Sequence, residues 1–268
     1  MADPGVIARL LPRAVARATA PSGLRVTERQ LYYELCRLLV PAHRLRRGPG
    51  FTVAVPLRYS AFRAALGAQH DLLAAVPPER AEPGRHTAEP DLFDYGLPRL
   101  LICRSHEIAH MLRANGLPME SACPVLSAAE LPVHPGVAAM LARVSGTAYV
   151  LHEASTAGFE FAARVRELAA LPDEVAVVPL GLRPRQAAAR HLFHLPGTAP
   201  PPGPPPQGPD DRELRWLARG RTVELEAVRP AALLRTVHRL VREVRTPRTP
   251  LLELRRTRDT GFLTWPAA

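Results

Sequence analysis

Histidines, arginines, carboxylates and a tyrosine pair are the side chains of this sequence whose spacing could support chemistry. His106 and His110 stand at i, i+4, which places two imidazoles on one helix face and suits a zinc pair. No third ligand follows at a convincing spacing, so a half-exposed helix face is the better reading. Arg44, Arg46 and Arg47 form a basic run. Each guanidinium offers a planar fork that fits phosphate, although a solvated loop explains the run equally well. Glu224 and Glu226 fall on the same side of an extended segment, where they serve either structure or a site. Tyr32 and Tyr33 sit side by side on an amphipathic stretch; such a pair ordinarily packs in a core with one hydroxyl at the rim. His152, alone beside Glu153, reads as solvated.

Composition limits the partners these groups can have. The chain of 268 residues carries a formal charge of +10, and every basic side chain is arginine, since it contains no lysine. Alanine, proline, glycine and arginine all have GC-rich codons, so coding bias explains part of the basicity. The charge permits a nucleic-acid partner without requiring one. Cys36, Cys103 and Cys123 are too few and too scattered for a disulfide framework or a structural zinc site. Arg9, Arg13 and Arg17 interrupt the N-terminal apolar stretch, so it does not read as a secretory signal. No apolar run reaches the length of a membrane span. The expectation is a cytoplasmic protein.

The elements that must position these residues change character along the chain. Residues 5–19 form a basic amphipathic helix in which Pro12 predicts a kink or two short turns. Leu24 to Leu39 follows, with Thr27 as N-cap and an apolar stripe of Leu31, Leu35, Leu38 and Leu39. Phe51 to Leu57 alternates as a strand or wing would, and Tyr59 to Leu73 predicts another helix. Residues 77–96 read as a linker rich in proline, glutamate and arginine. Beyond it, short apolar runs at 100–103, 123–126, 148–151 and 175–178 alternate with helical patterns at 106–115 and 158–170. That alternation predicts a parallel α/β sheet. A proline- and glycine-rich loop covers 198–209, and a helix is expected from Ala231 to Val244.

Three segments together resemble the superfamily of the topoisomerase VI A subunit, the meiotic break-making transesterase and their shorter bacterial relatives. The first is Thr27-Glu28-Arg29-Gln30-Leu31-Tyr32-Tyr33. It is similar to the winged-helix segment T-x-R-x-[hydrophobic]-Y-Y, in which the second tyrosine is the nucleophile. The resemblance implies that Tyr33 attacks a DNA phosphodiester and that Arg29 stabilises charge on the phosphate. The second is Tyr149-Val150-Leu151-His152-Glu153-Ala154-Ser155-Thr156-Ala157-Gly158. It resembles the Asp-x-Asp turn of a Toprim domain, whose carboxylates hold magnesium. The two aspartate positions fall on Glu153 and Ser155, and the family's first-strand glutamate falls near Arg104. The third runs from Gly181-Leu182-Arg183-Pro184-Arg185-Gln186 to Val223-Glu224-Leu225-Glu226-Ala227-Val228, a G-L-T-x-x-Q and V-E-L-[DE]-A-L pattern in bacterial relatives.

The resemblance therefore implies an α/β protein with a winged-helix-like domain at 1–76, a linker at 77–96, a Toprim-like parallel α/β domain at 97–245 and a C-terminal tail at 246–268. Its partner is DNA, and the wing that would meet the backbone holds Arg44, Arg46 and Arg47. A homodimer and protein partners in a DNA-handling complex are compatible with it. Magnesium is the implied cofactor, with Glu153 as its surviving ligand. An arginine beside that position would repel a cation at short range, so the expectation is DNA binding with metal-dependent cleavage lost or altered. Two alternatives keep their place: tyrosine-dependent DNA cleavage using magnesium, and a non-catalytic scaffold for protein partners.

Overall fold

The computed structural model describes residues 4–21, 23–41, 50–67, 96–197 and 204–243. Arg44, Arg46 and Arg47, residues 77–95 of the expected linker and the 246–268 tail lie outside the described residues.

Helix α1 (Pro4–Ala18) runs unbroken through Pro12, where the sequence predicts a kink or two turns. Pro12 sits on the exposed side, where a carbonyl lacking its usual partner can bond water, while Ile7, Leu11, Ala14 and Ala18 keep a continuous stripe in the core. Helix α2 (Glu28–Leu39) starts at a capping box: Gln30 N–H donates to Thr27 Oγ1 at 3.1 Å, and Thr27 N–H donates to Gln30 Oε1 at 3.0 Å. Every side chain from Gln30 to Arg37 is buried, so α2 is enclosed rather than amphipathic. Of the stretch expected as a strand over 51–57, only β1 (Val53–Ala54) takes that form. Helix α3 (Tyr59–Gly67) packs Tyr59 and Phe62 edge-on against Tyr32, with centroids 5.2 and 5.6 Å away.

A parallel sheet follows. Its strands are β2 (Arg99–Cys103), β3 (Val125–Ser127), β4 (Thr147–Leu151) and β5 (Ala176–Gly181), in the spatial order β3-β2-β4-β5. Past their first residues, Arg99 and Thr147, strands β2 and β4 are apolar and buried because both faces are covered. Leu101, Cys103, Tyr149 and Leu151 join the cluster built by α1, α2, α3 and α4 (His106–Ala114); Leu100, Ile102, Ala148 and Val150 join α6 (Pro135–Arg143) and α7 (Thr156–Leu168). The helices of the 1–76 segment thus share one core with the sheet of the 97–245 segment. Between β2 and β3 the chain passes through α4 and α5 (Leu117–Ser121) on one face; between β3 and β4 it passes through α6 on the other. The winding direction therefore reverses between β2 and β4, and the crevice beyond their carboxyl ends is where open α/β sheets bind ligands.

The remaining elements close around that edge. They are α8 (Pro184–Ala189), β6 (Phe193–His194), α9 (Asp211–Leu217), a 3-10 turn at Leu225–Ala227 and α10 (Pro230–Glu243). Strand β6 pairs in parallel with β1, tying the N-terminal half to the C-terminal half. The segment expected to be extended from 223 to 228 is an isolated antiparallel bridge, Val223 to Ala154, followed by the 3-10 turn. Among the described residues no helix is long and apolar enough to cross a membrane.

Candidate functional site at the carboxyl edge of the sheet

Local sequence fixes the edge. After β2 the chain turns at Arg104, and Ser105 caps α4 by accepting from Ile108 N–H at 3.2 Å. After β4 it turns through His152, Glu153 and Ala154, and Ser155 caps α7 by accepting from Gly158 N–H at 2.9 Å. Gly158 is required at this turn, because a Cβ there would lie 2.3 Å from the Glu153 carbonyl oxygen. The two turns meet: the Arg104 guanidinium donates to Glu153 Oε1 in an ion pair, and Ser155 Oγ donates to the same oxygen at 3.0 Å. The Glu153 side chain is 11% exposed. The residues at the three positions the resemblance assigns to magnesium are thus an arginine, a glutamate bonded to it, and a serine. They do not fit a magnesium cradle, which needs several carboxylate oxygens free of a guanidinium. Among the described residues no three His, Cys, Asp or Glu side chains converge with metal-holding geometry.

The tyrosine and arginine singled out in the sequence come together with the bridge segment. Tyr33 Oη donates to Glu224 Oε2 at 2.9 Å, while Arg29 Nε and Nη2 grip the two oxygens of the same carboxylate at 2.7 Å each. The Arg29 guanidinium also lies 4.2 Å over the ring of Tyr59, whose hydroxyl donates to Glu28 Oε1 at 2.7 Å. Tyr33 itself is fully buried. Burial first, then the Glu224 carboxylate and its hydrogen bond, push the phenol well above the usual tyrosine range. The bond to Glu224 first of all holds Arg29 above its ordinary range. In this conformation the phenol keeps its proton, and attack on a phosphate requires Tyr33 to leave its enclosure.

Glu226 is the second carboxylate of the segment, and its surroundings differ. It is buried and accepts from Ser105 Oγ at 3.0 Å. Burial, and next the nearby Glu224, push its carboxyl up to about 7, while the backbone and the Ser105 hydroxyl pull the other way. Burial thus holds the Glu226 carboxyl toward its neutral form relative to an exposed carboxylate.

The histidines take other roles. Sequence reasoning overlooked Glu107, which stands between His106 and His110 and completes an HExxH string. That string needs a third ligand to hold zinc. His106 Nδ1 instead lies 3.0 Å from Ser127 Oγ at the end of β3, and Glu107 is exposed. His152 is buried rather than solvated: its ring packs 5.0 Å from that of Phe159, and its Nδ1 donates to the Glu153 carbonyl at 2.9 Å. Burial lowers its basicity.

Sequence reasoning missed Ser105, Tyr59 and a group of arginines on α8, α9 and the turn after α9. Only the density of arginine between 183 and 190 and between 212 and 221 could have signalled the last. No protein-family model matches the chain, and neither do any curated proteins or solved structures.

Proposed function

We propose that the protein binds DNA and is a divergent relative of the DNA-cleaving A subunit of topoisomerase VI, with its metal-dependent cleavage lost. In this reading α2 belongs to a winged-helix-like unit and β2 to β5 form a Toprim-like sheet. One observation carries it: the three segments of the resemblance, far apart in sequence, meet at one edge. Arg29 and Tyr33 of the first bond to Glu224 of the third, Glu226 of the third bonds to Ser105 after β2, and Val223 bridges to Ala154 of the second. The loss of metal chemistry rests on Arg104, which neutralises the carboxylate left in the acidic turn. Fluorescence anisotropy of a labelled duplex, titrated at several salt concentrations, tests the DNA reading. Phosphate contacts predict a log affinity that falls linearly with log salt, by about 0.9 for each phosphate neutralised. Absence of binding at low salt overturns it.

A second reading is favoured by the hydrogen bond from Tyr33 to Glu224. It joins a nucleophile to a proton acceptor, the pairing covalent catalysis requires. Tyr33 Oη would form a bond to phosphorus as the phosphodiester bond to one sugar oxygen breaks, with Glu224 taking the phenol proton and passing it to the departing sugar oxygen. A DNA adduct that survives denaturation and is absent in Tyr33→Phe supports this reading; its persistence in that variant overturns it.

A further inference from the structure

A cleft of about 910 Å³ opens between α8, α9 and residues 50–52. Arg185, Arg190, Arg212, Arg215, Arg219 and Arg221 line it. Two carboxylates face them, Asp210 and Glu213, and the second is already bonded to Arg183, which stands outside the lining. Arg185 shares both acids at 3.8 and 3.9 Å, whereas among the described residues no acidic side chain pairs with Arg190, Arg212, Arg219 or Arg221. Six guanidiniums held around one cleft repel one another, and an anion relieves that repulsion. Three rings stand among the arginines. Phe51 is 43% exposed and lies 4.5 Å from the His191 ring, while Trp216 is fixed by its Nε1–H donating to Thr52 Oγ1 at 3.2 Å.

We propose that this cleft binds single-stranded nucleic acid. The arginines supply bidentate contacts to successive phosphates, and the exposed face of Phe51, backed by His191, offers a platform on which a base stacks. The volume is that of a pocket for a small ligand or a short run of nucleotides. The inference stands on the cleft alone. It shares with the proposed function only the class of polymer, since Arg104, Glu153 and Tyr33 take no part in it. The cleft nevertheless opens off the same end of the sheet, because α8 starts three residues after β5 ends.

The test is anisotropy with four probes: a labelled oligo-dT, the matching oligo-U, a blunt hairpin duplex, and inorganic triphosphate as competitor. The proteins are the full chain, Arg212→Gln/Arg219→Gln, Phe51→Ala, and a control, Arg9→Gln/Arg13→Gln, whose arginines are exposed on α1. The expected result is a loss of tenfold or more in single-strand affinity for the double arginine variant. Its salt slope should fall by about 1 to 2, at roughly 0.7 per single-strand phosphate. Phe51→Ala should lose about fivefold or more, since stacking on one ring is worth about 1–3 kcal/mol per base. The control should change less than twofold. Preference for oligo-dT over oligo-U, or the reverse, decides which polymer the cleft takes. Single-strand affinity unchanged in both cleft variants overturns the inference, as does a wild type that binds triphosphate but no strand. Duplex binding with unchanged strand affinity in the variants sinks the cleft and leaves the proposed function standing. Cleft-dependent binding of oligo-U without any DNA binding does the opposite.

Discussion

Helix α2 meets the segment from Glu224 to Arg229 in two places that use the same chemistry in different degrees of enclosure. Toward its C-terminal half, Glu34 is gripped by Arg37 at 2.6 Å and by Arg17 at 3.0 Å, with Arg229 at 3.9 Å. Arg37 also donates to the Ala227 carbonyl. The side chains of Glu34 and Arg37 are 1% and 4% exposed. Toward the N-terminal half, Glu224 is gripped by Arg29 and Tyr33, but Arg29 and Glu224 keep 22% and 24% of their side chains exposed. The Glu34–Arg37 pair is enclosed and docks the helix on the segment, while Arg17 and Arg229 reach it from the rim with 27% and 46% of their side chains exposed. The half-open cluster docks the same two elements and leaves a guanidinium at the surface beside a buried phenol. Exposure of the carboxylate, 1% for Glu34 against 24% for Glu224, separates the architectural contact from the candidate site.

The comparison predicts a graded series of effects. Glu34→Ala leaves Arg37 buried without its partner and should destabilise the fold by about 3–5 kcal/mol in urea unfolding. Replacing Glu34 and Arg37 together by methionine and leucine should recover most of that loss; failure to recover it would show that the cluster has a role beyond charge pairing. Glu226→Gln should reveal a pH-dependent difference. The folded carboxyl, pushed up to about 7, binds a proton more tightly than the unfolded one, whose ordinary value is 4.5. Wild-type stability is therefore favoured below the unfolded value and falls as pH rises through 7. Relative to wild type, the glutamine variant should gain nothing near pH 4 and about 3 kcal/mol above pH 8. Melting curves that run parallel across that window would contradict the assignment. Arg29→Ala removes a bidentate pair and the stack on Tyr59, at about 2 kcal/mol. Tyr33→Phe removes one hydrogen bond and should cost about 1 kcal/mol if the phenol is a structural contact.

Much of the architecture was legible because it depends on local periodicity. The apolar runs at 100–103 and 148–151 became β2 and β4, and the helical pattern at 106–115 became α4, which is followed by Gly116 at a φ of +79°. The short elements α8, α9 and β6 carry too few residues to repeat a pattern, and they went unseen. Burial of charge was not legible: Glu34 and Arg37 lie off the Leu31, Leu35, Leu38 and Leu39 stripe, yet they are buried, with Arg17 and Arg229 arriving from α1 and from the end of the bridge segment. The site was legible in part. Tyr33, Arg29 and Glu153 were singled out by the resemblance, and the 224–226 pair by its spacing as well. Their contacts were not, since Arg29 and Glu224 lie 195 positions apart. The pairing of Glu153 with Arg104, and the bond Glu226 accepts from the Ser105 hydroxyl, exist only in three dimensions.

The most direct test incubates the full chain with supercoiled plasmid and magnesium, then runs one half natively and the other after denaturant and protease. Binding without cleavage predicts a plasmid retarded in the native gel and still supercoiled in the second. Nicked or linear DNA with protein attached to its end, lost in Tyr33→Phe, would contradict the account, and so would a plasmid that is not retarded at low salt.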